Sequence, residues 1–115
     1  MKSILISIQP KWCQHIISGK KTLEIRKSKP SLEVPFKCYI YETKAEFVGS
    51  DGYRQLGRGK VIGEFVCDNI EDFSLWEHDY SSLLRHINLY AGTEGDYKFL
   101  DSYLKGEKSC YGWCI

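Results

Sequence analysis

Gly19-Lys20-Lys21-Thr22-Leu23-Glu24-Ile25-Arg26 is the stretch on which the reading of the fold turns. Its glycine stands where a helix would end, because a residue without a Cβ enters the left-handed conformation that closes a helix at little cost. The residues after that glycine predict a short strand over 20–27. Successive strand residues face opposite sides, so Leu23 and Ile25 share one face while Thr22, Glu24 and Arg26 share the other. The apolar pair belongs to a core. A carboxylate and a guanidinium two apart on the second face hold each other or a planar partner. By the same parity Lys21 falls on the Leu23/Ile25 side at the start of the strand, which places it at the rim of the core, near a cleft mouth.

Upstream, the alternation of Ile4, Ile6 and Ile8 predicts a strand over 3–8. Pro10 suits the first turn of a helix over 11–18, where Trp12, Cys13, Ile16 and Ile17 recur at helical spacing. Downstream, Pro30 and Pro35 bound a loop. A strand over 36–43 carries Cys38 and Ile40 on one face and Tyr39 and Tyr41 on the other. Residues 44–60, with four glycines, read as a flexible excursion. A long strand over 60–70 contains Gly63, which signals a bulge or a close backbone approach. Helices are predicted over 74–90 and 96–104, and a last strand over 109–115 carries Tyr111, Trp113 and Ile115. Strands mixed with separate helices give an α+β class and a small mixed barrel.

At 115 residues the chain is read as one domain, 1–115, large enough to bury a core. The net charge of +1 excludes a protein that coats polyanions, yet it conceals an uneven distribution. Residues 1–30 carry seven Lys and Arg against Glu24 alone, a net +6, whereas 64–80 carry six Asp and Glu and no Lys or Arg, a net −6. The basic third suits an anionic ligand. Five scattered cysteines, an apolar run limited to 4–8 near the N-terminus and no membrane-length segment predict a cytoplasmic protein with reduced thiols and no membrane partner.

Metal and nucleophile chemistry find little support. Cys110 and Cys114 lie four apart in a strand, too far for a paired-cysteine clip, and no second pair exists, so no metal or other cofactor is expected. Cys13 and His15 are two apart on a helix and do not face each other. Taken alone, Lys21, Glu24 and Arg26 equally describe a salt-bridged surface strand. With Trp12 on the preceding helix they supply what reading a base requires: a face to stack on, donors, and an acceptor.

The spacing Gly19-x-Lys21-x-x-Glu24-x-Arg26 resembles the signature of the ASCH (activating-signal-cointegrator homology) family at all four fixed positions. Ile8-x-Pro10-x-Trp12, Ile16-x-x-Gly19, Val34 to Tyr41, Gly59 to Phe65 and the closing Tyr111-Gly112-Trp113 are similar to the small ASCH proteins of bacteria and their prophages. The likeness covers most of the chain except 44–57 and 74–95. It implies a PUA-like pseudo-barrel of about five to six strands flanked by short helices, with a cleft lined by the signature residues. It also implies a role in RNA-related processes. Some small members hydrolyse the acetyl amide of N4-acetylcytidine with the signature lysine, here Lys21, a threonine whose place Glu24 takes, and a separate glutamate, for which Glu64, Glu71 and Glu77 are the candidates.

Three functions are open to these residues. The first is binding of RNA or a nucleobase-containing ligand, with Trp12 stacking, Lys21 and Arg26 on phosphate or carbonyl oxygens, and Glu24 on an exocyclic amine. The second is amide hydrolysis with Lys21 as the catalytic amine and Glu24 beside it. The third is a protein-interaction module whose charged strand is only salt-bridged. Hydrolysis needs Lys21 partly neutral. An opposite charge about 4 Å away in a half-wet cleft contributes on the order of 4 kcal/mol, so Glu24 is expected to hold Lys21 charged and to suppress it.

Overall fold

The computed structural model describes residues 1–49, 51–73 and 110–115. Among them the chain forms β1 (Ser3–Ile8), α1 (Pro10–Ile17), β2 (Leu23–Arg26), β3 (Phe36–Glu42), β4 (Glu46–Val48), β5 (Arg54–Leu56), β6 (Lys60–Cys67), β7 (Ile70–Asp72) and β8 (Tyr111–Cys114). β1 and β3 pair in parallel and β3 and β6 antiparallel, giving one three-stranded sheet in the order β1-β3-β6. β2, β8 and β7 form a second, wholly antiparallel sheet, and β4 and β5 a hairpin.

These are open sheets, strand-rich and with one short helix among the described residues, so the barrel expected from the sequence is not seen to close. The helices predicted over 74–90 and 96–104 lie outside the described residues. The excursion over 44–60 contains the β4–β5 hairpin, turned through Gly52 at φ +82°. The strand expected over 60–70 divides at Asp68 and Asn69 into β6 and β7, which belong to different sheets. The β3–β6 ladder skips Ile62, passing from Ile40 opposite Gly63 to Tyr41 opposite Val61, a bulge next to Gly63.

One apolar core joins the two sheets. Ile6 and Ile8 of β1, Phe36, Cys38 and Ile40 of β3, Cys67 of β6, Trp12 and Cys13 of α1, and Trp113 of β8 are all buried in it. Alternation decides membership: in β3 residues 36, 38, 40 and 42 are buried while 37, 39 and 41 are half-buried. Pro10 opens α1 as its first residue, and Ile17 stays exposed at its end. All five cysteines are free thiols. No helix among the described residues is long and apolar enough to cross a membrane.

Candidate functional site

The end of α1 builds the site. Gly19 takes φ +80°, and its N–H donates to Ile16 O (3.1 Å), as a left-handed helix terminus requires. The Lys21 N–H then donates to His15 O (2.9 Å), which ties the backbone of Lys21 to the helix it has just left. Lys21 therefore precedes β2 and escapes the parity of the strand. Its side chain turns inward with only 4% of its surface exposed, not to the rim of the core where alternation placed it.

Inside, Lys21 Nζ donates to Leu23 O (2.7 Å) and pairs with Glu24 Oε1 at 3.2 Å. The other oxygen of the same carboxylate, Oε2, accepts from Arg26 Nε (3.1 Å) and lies 3.0 Å from Arg26 Nη2. Glu24 is 8% exposed and thus holds two cations from a buried position. Arg26 Nη2 also donates to Ser7 O of β1 (3.1 Å), so the guanidinium bridges the two sheets. Its side chain remains 30% exposed and is the most open of the three.

Indoles bracket this cluster. Lys21 Nζ lies 5.8 Å from the centroid of the Trp12 ring and Lys11 Nζ 4.8 Å from it, with His15 edge-on at 5.5 Å. Trp12 is thus a wall of the site, with little of its ring open for stacking. The Arg26 guanidinium carbon lies 6.0 Å from the Trp113 ring.

Burial lowers the pKa of Lys21 below the ordinary lysine value; Glu24 opposes the shift, through its charge and its hydrogen bond, and Arg26 adds to it. The net shift is downward, so desolvation outweighs the attraction of Glu24. A lysine at a cleft mouth would have kept its water; one enclosed at the end of α1 does not.

Glu64 of the proposed second carboxylates stands apart, exposed and 3.6 Å from Lys37 Nζ. Glu71 lies half-buried on β7 at the far side of β8, and Glu77 is outside the described residues. A carboxylate that sequence reasoning passed over is Glu42, 5% exposed, with Oε1 accepting the Arg58 N–H at 2.7 Å. Cys13 takes part in its environment: burial first, then the charges of Glu42 and Glu24, push the thiol up to about 12. The signal was present, because Glu42 continues the inward parity of Cys38 and Ile40. Among the described residues no group of His, Cys, Asp and Glu converges as a metal site would. A separate open depression of about 550 Å³ runs between the 29–34 loop and β7, past Leu32, Ile70 and Asp72, and is not lined by Lys21, Glu24 or Arg26.

A helix-to-strand turn that delivers a lysine, a glutamate and an arginine against two indoles defines a small α+β domain with one charged cluster. The ASCH domain model matches residues 6–111, and the chain belongs to the ASCH domain family. Its fold is similar to the solved structure of the ASCH protein from Zymomonas mobilis (23% identity, TM-score 0.65, 98% of this chain aligned with 66% of that one). It is likewise similar to that of a mutant of the same protein (24% identity, TM-score 0.66, 99% and 68%). This chain spans about two thirds of the length of that protein. A search of curated proteins gives no match.

Proposed function

We propose that the domain binds RNA or another nucleobase-containing ligand at the Lys21–Glu24–Arg26 cluster beside Trp12. The observation that supports this most is the convergence of two cations on one buried carboxylate. Burying such a set costs desolvation that mutual attraction only partly repays, so stability alone is a poor reason for it. Arg26, the most open member, meets phosphate or carbonyl oxygens, and Glu24 accepts from an exocyclic amine. Lys21 holds Glu24 in place and faces a carbonyl oxygen that reaches the cluster. Exposed Lys20, Lys27 and Lys29 extend the positive surface on which a backbone would lie. Family membership adds the general association with RNA that the signature implies.

Titration of labelled single-stranded RNA at about 50 and about 200 mM salt tests this reading. Affinity should fall with salt, by a slope of about −0.7 per phosphate neutralised, and both Arg26→Ala and Lys21→Ala should weaken it. Absent binding, or binding indifferent to salt, for RNA and nucleotides alike would put the interaction-module reading first.

One observation favours a second reading, hydrolysis of an acylated cytidine: the lowered pKa of Lys21 makes a neutral amine more accessible. The same titration samples, incubated with N4-acetylcytidine and assayed for cytidine by chromatography, separate the two. The binding reading expects no release; release that disappears in Lys21→Ala and rises in Glu24→Thr would establish the hydrolase.

A further inference from the structure

Among the described residues, Trp113 Nε1 is the buried side-chain donor that goes without an acceptor. Trp113 is only 5% exposed, and leaving such a donor unpaired forfeits its bond to water with nothing in return. Nearly all buried polar groups find a partner, so an exception calls for a physical reason.

Its position suggests one. In the β2–β8 ladder Trp113 lies directly opposite Glu24, and residues so paired project from the same face of the sheet. Arg26 sits over its ring, and Phe36 packs edge-on against it with centroids 5.8 Å apart, which fixes the plane of the indole. Glu24, whose two oxygens meet Lys21 and Arg26, does not accept from this donor. The donor is thus neutral, desolvated and unpaired, on a residue that faces Glu24 across the ladder and carries Arg26 over its ring. A neutral donor in such a place suits an uncharged acceptor better than a phosphate, which would have to shed its water.

We propose that the Trp113 indole N–H reads the ligand: it donates to an acceptor on a nucleobase edge, a carbonyl oxygen or an unprotonated ring nitrogen, held beside Glu24 and Arg26. This rests on the binding reading above and adds to it the atom that contacts the base. Trp113 thereby does what stacking was expected to do through Trp12, by a hydrogen bond instead of a ring face.

The full chain labelled with nitrogen-15 at its tryptophans gives one indole N–H resonance each for Trp12, Trp76 and Trp113. Trp12→Phe and Trp76→Phe leave Trp113 assigned by elimination. The four nucleoside 5′-monophosphates of RNA are added in turn, and ribose 5-phosphate in a parallel arm. The expected result is a downfield shift of the Trp113 resonance with at least one nucleotide and none with ribose 5-phosphate. Trp113→Phe should bind that nucleotide about tenfold more weakly. A nucleotide that binds while the Trp113 resonance stays still overturns the proposal and leaves the binding reading intact. An equal shift with ribose 5-phosphate assigns the donor to phosphate and overturns it too. If no nucleotide binds and RNA does not either, both fall together. Should Trp113→Phe fail to fold, the wild-type resonance still decides.

Discussion

Lys21 is where opposing electrostatic effects meet. Enclosure disfavours its ammonium form, while Glu24 at 3.2 Å favours it, and the net pKa lies below the ordinary lysine value of 10.5. In the window between the lowered folded value and 10.5, the unfolded chain keeps a proton that the native chain has released. Stability therefore rises with pH across that window, and the burial penalty is fully present below it. Urea unfolding of wild type and Lys21→Met, at steps from about pH 7 to about pH 10, isolates this group, because the other titrations cancel. The expected outcome is a difference that moves in favour of the wild type as pH rises. A flat or falling difference would mean that Glu24 prevails over desolvation. That Lys21 and Glu24 form one unit with Arg26 was legible in the spacing of the signature. The depth of Lys21 was not, because a coil residue has no parity from which to read its face.

Local geometry at the α1–β2 junction decides where that lysine goes. Gly19 has φ +80°, and a Cβ built there meets nothing within 4 Å, so the cost of a side chain is conformational and not steric crowding from neighbours. Gly19→Ala should destabilise the domain by about 1–2 kcal/mol, and Gly19→Asn by less, since Asn tolerates this region. Denaturant midpoints at unchanged m-value measure it; equal stability of Gly19 and Ala would show the turn to be adaptable. This element was readable in advance because a glycine after an apolar helical stripe has a local cause. The β4–β5 hairpin was not, since Glu46–Val48 and Arg54–Leu56 are three residues each, too short to show a period, and stabilise each other only once paired.

In the molecule as a whole, the shared core sets the reactivity of the thiols. Burial raises Cys13 and Cys38 to about 12 and Cys110 to about 11, reinforced by Glu42 and Glu24 at Cys13, by the Cys67 thiol and Glu24 at Cys38, and by Asp72 at Cys110. Cys13, Cys38 and Cys67 have no exposed surface, whereas Cys114 is half-buried. Alkylation needs the thiolate and access to it. Iodoacetamide treatment and mass spectrometry should find Cys114 modified ahead of Cys13 and Cys38 in the native protein, and all of them in urea. Early labelling of Cys13 would mean that α1 opens readily from the core. These thiols oppose the trend at Lys21: their stabilising contribution is whole below about pH 9 and is lost as pH rises toward 12.

The amino-acid order alone determined the strand-helix-strand start, the inward alternation of Phe36, Cys38 and Ile40, and the shared face of Glu24 and Arg26, because period and spacing are properties of a chain before it folds. Tertiary structure decided the rest. It placed Trp113 opposite Glu24, brought Arg26 to Ser7, buried Glu42 against Arg58, and split 60–70 between two sheets. Each of these is a contact between residues distant in sequence or a loss of water. Neither has a local signature, since both depend on which surfaces the whole chain brings together.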